Sequence, residues 1–540
     1  MQELSLPTKN LIKKYEFWQQ SLQPKPGQST IHVDEVASKV AAFYEQIRTI
    51  VEWKEEHLMR RAAIIRKLKR RFLDLEINNF SEEENIAELL VLELIRGGHF
   101  PNDKIEESII GNIERVIGKY IFILKNSPEN KKGKAGLQFY DWLLEIAACE
   151  IEEVLAPPLK ETALMDYMFE LMKERIKINK NVYEAGLLEK GDEDIQIYIA
   201  LQQALFKLDK PIISYNLIKY KYPQWNKAEQ DLMFGVAQNA CKICNDIEKD
   251  LQNPLLKKFY AICEKYDTPY LLLGDILSSQ EKTKEITKKV SEPSVLEGLI
   301  RDAYNKRLFS LKSRIWRAAL YSTISIFITK ILSLLILEIL LSRITAGHLS
   351  IVTFIADIFI PTVLMFGLVA TIKPPSYKNL NLVIMEAMKI VYQKEKTDIY
   401  EIKIRKKSPL AKAIISFIYI LSGLVSFGLI YFAFKLLNFP ISSIIINIVF
   451  IALILFAGTA VRKRAQELSV EEEPEGFLSF LSDVFFLPMQ GFGRWLSNKW
   501  KKYNAITAFF NALIDMPFSV FVEFLEKWRY FIKERKEEIH

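Results

Sequence analysis

Four cysteines in 540 residues, at Cys149, Cys241, Cys244 and Cys263, are too few and too unevenly spaced to frame a disulfide scaffold. That excludes the small secreted class and implies a reducing compartment. Glycine and proline are equally scarce, 20 of each, and a many-stranded fold needs more turn punctuation than that. The amino-terminal stretch "MQELSLPTKNLIKKYEFWQQ" has neither the apolar core nor the small-residue cleavage site of a signal peptide. The first 300 residues are therefore expected to remain where they are made. The five histidines, His32, His57, His99, His348 and His540, are dispersed. No Gly-rich phosphate loop, GxSxG, HExxH or paired Cys/His pattern occurs. These absences weigh against an enzyme; no catalytic residue, cofactor or metal is expected. The one CxxC, "CKIC" at 241 to 244, lies on an expected helix, but a zinc site needs four ligands and no second pair stands at metal spacing. Buried small residues are the favoured reading of these thiols. A net charge of +7 is modest for the length and argues against a nucleic-acid partner.

What the chain has instead is helix formers and long apolar runs. Four segments, about 317–341, 349–372, 413–435 and 439–461, exceed the length that ~30 Å of hydrocarbon requires. Lysine and arginine beside membrane spans set their orientation. Nineteen flank these runs on one side, in 301–317, 373–412 and 462–464, against only Arg343 and Lys435 on the other. The expected fold class is all-α: a helical cytoplasmic domain over 1–312, a transmembrane region of two hairpins over 313–465 with a cytoplasmic connection at 373–412, and a tail over 466–540. Both termini then lie in the cytoplasm, and the protein is a multi-pass resident of the cell membrane.

The first run, "STISIFITKILSLLILEILL", carries Lys330 and Glu338, each costing a few kcal/mol at the bilayer centre if unpaired. Counting ~1.5 Å per residue from the turn near "RITAGHLS" puts Asp357 of the second run within ~6 Å in depth of both. Pairing inside the hairpin would account for all three charges. The alternative is an ion or proton pathway, with Pro361 breaking the second run and freeing carbonyls. The absence of an inverted repeat weighs against it.

In the amino-terminal region, helices are expected over Val40 to about Ile77, from the capping box Ser81/Glu84 onward, and over 103–125, 137–155, 160–179, 193–208, 211–221, 227–250 and 254–265. The pair flanking Pro211 looks like a single αα-hairpin, too few copies for a solenoid. The run "MRRAAIIRKLKRRF" sets Arg60, Arg61, Arg66, Lys67, Lys69, Arg70 and Arg71 in little over three turns. A solvated face is the bland reading, and anionic lipid is the partner next in line. In the connection, an amphipathic helix from Asn381 to about Gln393 precedes a short strand in "IYEIKIR". From Phe477 to Phe531, 16 of 55 residues are aromatic, interleaved with Arg494, Lys499, Lys501 and Lys502, and broken by Pro488, Gly491, Gly493 and Pro517. Aromatics with basics suit an interfacial, amphipathic tail on the cytoplasmic face, again toward anionic lipid.

"KPPSYKNLNLVIMEAMKIVY", "GFGRWLSNKW" and "FVEFLEKWRYFIKERKEEI" resemble stretches of a family of uncharacterised multi-pass membrane proteins from uncultured, small-genome bacteria. The resemblance covers the membrane and carboxy-terminal parts best. It implies membrane class and topology, and no activity, ligand or catalytic residue. The sequence reading is a membrane-anchored, non-catalytic platform for a cytoplasmic protein partner. A transport component using Lys330, Glu338 and Asp357 is the alternative, and an unrecognised membrane enzyme comes third.

Overall fold

The computed structural model describes residues 3–22, 27, 29–33, 60–69, 86–127, 134–227, 230–279, 283–338, 351–392, 398–404, 408–470, 477–502, 524 and 528. Ser81, Glu84, Arg70, Arg71 and most of the helix expected over Val40–Ile77 lie outside them, as does the tail beyond residue 502 apart from Phe524 and Trp528. The described chain is overwhelmingly helical. Among the described residues its one sheet is a parallel pair, Ile176–Ile178 with Tyr400–Ile402, in the register Ile176↔Tyr400. The second strand is the one expected in "IYEIKIR".

Two compact units are present. One comprises Asn10–Glu264 with Tyr400–Ile402. Its helices include Ile109–Asn126, Lys134–Leu155, Leu159–Arg175, Asp192–Phe206 and Lys210–Lys221. Pro211 stands in the first turn of Lys210–Lys221, where its missing N–H costs nothing, and Lys207 turns the preceding helix with a left-handed φ of 51°. The helix expected over 227–250 is two, Gln230–Gln238 and Ala240–Leu251, separated at Asn239. Its core includes Ile146, Ile151 and Leu217, and Glu150 is buried as they are.

The other unit holds Lys265–Ile399 and Lys403–Asn504 together with the first nine residues. It begins well before residue 313, because the helices Asp267–Leu277 and Thr283–Val290 pack on a helix that starts at Pro293 and runs unbroken to Ser333. No glycine or proline interrupts residues 299–333. At 41 residues that helix is about 60 Å long, roughly twice the hydrocarbon thickness. It passes into a π-helical turn at Leu334–Glu338. Among the described residues, four helices are long and apolar enough to cross a membrane: this one, Thr353–Ala370, Pro409–Leu436 and Ile441–Ala465. Below they are called the first to fourth apolar helices.

Asn379, on the helix Tyr377–Tyr392, ties three segments of this unit together. Its amide donates to Leu468 O (2.6 Å) and Tyr304 Oη (3.0 Å), and its oxygen accepts from Val470 N (2.9 Å). Tyr392 Oη donates to Val290 O at 2.6 Å, and burial pushes that phenol up to about 12. The helix Phe477–Lys502 packs along the third and fourth apolar helices, its Met489 joining a core with Phe434, Phe439, Ile444, Ile451, Ala452 and Leu455. The sequence reading lays this segment flat as an interfacial tail. Glycines 491 and 493 seat it on its neighbours instead.

Candidate functional site

Three apolar helices each contribute a polar side chain to one point of the carboxy-terminal unit. Lys330 Nζ of the first lies 2.8 Å from Asp357 Oδ2 of the second, and both side chains are 0% exposed. The fourth helix supplies Asn447, whose amide donates to Asp357 Oδ1 at 2.5 Å and to the Ser443 carbonyl one turn back at 2.9 Å. It also supplies the Phe450 ring, 5.1 Å from the ammonium, so the cation is flanked by a carboxylate and an aromatic face. Each residue lies in a stretch of its helix, 318–336, 351–370 or 441–461, that carries no charged side chain apart from Lys330 and Asp357. Desolvating two charges is tolerable only with good geometry and added hydrogen bonds, and Asn447 adds one. Beside the pair, Asn447 Oδ1 and Ser443 Oγ are buried without a hydrogen-bond partner.

The structure thus brings together Lys330 and Asp357. Glu338 ends the π-helical turn and its side chain lies outside the described residues. The second helix runs through Pro361 from Ile351 to Ala370 without a break. Asn447 is a member that sequence reasoning names only among the scattered polar residues of the third and fourth runs, suited to helix packing as well as to a pore, and does not join to the charged pair. Its only signal is an amide inside the apolar run "IIINIVF".

Of the basic run, the described residues 60–69 are used largely inside their own unit. Arg61 is buried and bonded to Asp209, with Cys149 Sγ 3.9 Å away, which makes it an interior residue rather than part of a lipid-facing patch. Arg60 donates to His99 O and covers the Phe100 ring; Lys67 pairs with Glu93 at 3.0 Å and Lys69 with Asp141 at 3.4 Å. Arg66 is half-buried. In the tail, Arg494 and Lys499 are exposed, and the side chains of Lys501 and Lys502 lie outside the described residues. Cys241 and Cys244 are half-buried on the helix Ala240–Leu251, while Cys149 and Cys263 are buried. Burial pushes the Cys149 thiol far above its ordinary range, which keeps it protonated and inert. Among the described residues no three His, Cys, Asp or Glu side chains gather as a metal site would require.

A second buried cluster stands in the amino-terminal unit. Glu150 accepts from Lys119 Nζ (2.6 Å), Tyr120 Oη (2.7 Å) and Trp225 Nε1 (3.0 Å). Burial draws Lys119 below its ordinary pKa, against the pull of Glu150, and pushes the Tyr120 phenol well above its own. The neighbouring cavity, lined by Tyr120, Trp142 and Trp225, has room for about one water, which makes the cluster a packed junction rather than a ligand site. No family model matches this chain, and neither a curated protein nor a solved structure similar to it was found.

Proposed function

We propose that this chain is a multi-pass protein of the cytoplasmic membrane, with both termini in the cytoplasm, that holds a non-catalytic interaction platform at the membrane's inner face. The observation that carries the reading is the closure of the Lys330–Asp357–Asn447 cluster. An ion or proton path needs its charged groups to meet water on each side in turn. Here both charges are fully buried and paired with one another across the first two apolar helices. Such a cluster fixes how helices meet. The 19-to-2 bias of basic residues supports the orientation, and the resemblance noted in the sequence agrees with the class. A second reading, a proton- or ion-transport component, is favoured by one observation, the two unpartnered oxygens of Asn447 and Ser443 beside the pair.

Single cysteines at 346, 395 and 470 in a cysteine-free background test the orientation. With an impermeant maleimide on intact cells, only 346 is expected to label; labelling at 395 and not at 346 inverts the scheme. Purified protein in vesicles carrying a pH gradient separates the two functional readings. A platform leaves the gradient intact. Dissipation by the wild type that is lost in a stably inserted Lys330→Met/Asp357→Leu double variant would install the transport reading in its place.

A further inference from the structure

The helix Phe477–Lys502 contains Pro488, and the way the chain deals with that proline says where the helix sits. Proline has no N–H, so the carbonyl four residues earlier, at Val484, loses its helical donor, and the ring crowds the carbonyls of that turn. On a membrane surface, water would satisfy them. Here two serines of the third apolar helix do so. Ser422 Oγ donates to Val484 O at 2.7 Å, and the fully buried Ser426 Oγ shares its one proton between Phe485 O at 2.5 Å and the Ser422 carbonyl of its own helix at 2.7 Å. A side-chain donor for the proline-freed Val484 carbonyl is what a helix in hydrocarbon requires, because each unsatisfied group there costs several kcal/mol.

The fit around this point is close. Gly423, between the two serines, makes room for the proline: a Cβ there would lie 3.4 Å from Pro488 Cβ. A Cβ at Gly493 would fall 2.1 Å from the Ala452 carbonyl oxygen, and one at Gly491 2.7 Å from Tyr419 Oη. Small residues that let helix backbones approach are typical of association within lipid. The partners also mark the depth. Ser422 and Ser426 stand midway along Pro409–Leu436, and Ala452 midway along Ile441–Ala465. Residues 484–493 carry no charge, and the outward Leu487 is 51% exposed. Arg494, Trp495 and Lys499, all exposed, follow on the carboxy-terminal side, and at ~1.5 Å per residue Lys499 lies about 9 Å beyond Gly493, from where a long basic side chain reaches toward an interface.

We infer that Phe477–Lys502 is a membrane-inserted helix whose residues 484–493 lie at the depth of the middle of the third and fourth apolar helices, with Leu487 against lipid acyl chains. The inference rests on the membrane reading above and extends it to a fifth embedded element; a continuous helix of 26 residues, about 39 Å long, crosses rather than returns, so it moves the carboxy-terminus off the cytoplasmic side which that reading gives it. Its lower hydropathy follows from the serines, glycines and carboxy-terminal basic residues that seat and end it.

Nitroxide labels at positions 487, 424 and 499, one at a time in the full-length cysteine-free protein in vesicles, test it. Leu424 is 69% exposed on the third apolar helix beside Gly423 and reports whether that helix is in hydrocarbon at all. Labels at 487 and 424 are both expected to collide several-fold more with oxygen, relative to a water-soluble nickel chelate, than the label at 499. A 487 label resembling 499 while 424 reports hydrocarbon overturns the inference and spares the membrane reading; a 424 label open to the chelate overturns both. A mutational cycle tests the serines. Ser422→Ala/Ser426→Ala is expected to lower the melting temperature, and to lower it less in a Pro488→Ala background, where the Val484 carbonyl regains its own donor. Equal losses in the two backgrounds would remove the serines from that role.

Discussion

Among the described residues, each unit of this protein has one lysine–carboxylate pair buried at both ends, and the two are finished differently. In the amino-terminal unit, Glu150 takes three donors, while Lys119 spends a second proton on Trp225 O and lies 4.4 Å from the Trp225 ring. In the carboxy-terminal unit, Asp357 has Lys330 and Asn447, and two neighbouring oxygens go without partners. The reference states account for the contrast. Unfolding in water returns every charge to full hydration, so a buried pair has to recover all of it. A helix that separates from its neighbours within a bilayer regains little hydration, and a partly completed network is stable enough against that poorer alternative.

The largest effects that would break this comparison come from removing one partner. Asp357→Leu and Glu150→Leu each leave a buried lysine uncompensated, and each should cost about 3–5 kcal/mol in unfolding experiments, the first seen also as poor accumulation in the membrane. A variant of either kind that melts like wild type would mean its lysine finds water.

The double replacements sharpen the contrast. Lys330→Met/Asp357→Leu should recover most of the loss, leaving only the Asn447 amide in need of a partner. Lys119→Met/Glu150→Leu should recover much less, because Tyr120 Oη and Trp225 Nε1 lose their acceptor, at about 1–3 kcal/mol for each buried donor. Equal recovery in the two units would end the distinction.

The smallest effects lie at the edge of the membrane cluster. Asn447→Leu should cost about 1 kcal/mol, as interhelical hydrogen bonds in bilayers do. Ser443→Ala, whose hydroxyl is unpartnered, should fall within about 0.5 kcal/mol of wild type. A clear loss at Ser443 would show its oxygen engaged in the protein and would remove half of the observation behind the transport reading.

Much of the fold was legible because it depends on neighbours in sequence. Pro211 announces the helix Lys210–Lys221, the β-branched run announces the strand Tyr400–Ile402, and apolar length announces the four long helices. The depth at which Lys330 and Asp357 meet followed from counting residues along two helices. The break at Asn239 was not legible, since its residues are ordinary helix formers on either side. Nor was the interior place of Arg61, whose partner Asp209 lies 148 residues away.

The sequence by itself determined how many helices are long and apolar enough to cross a membrane, because length and composition are one-dimensional properties. It also determined that charges inside them would need company. Only the tertiary structure decided which company. Asn447 turned toward Asp357, 90 residues away, and Ser422 under the Val484 carbonyl freed by Pro488 are matters of helix rotation and tilt. Those are set by interdigitation of side chains from distant segments, and no local pattern of residues encodes them.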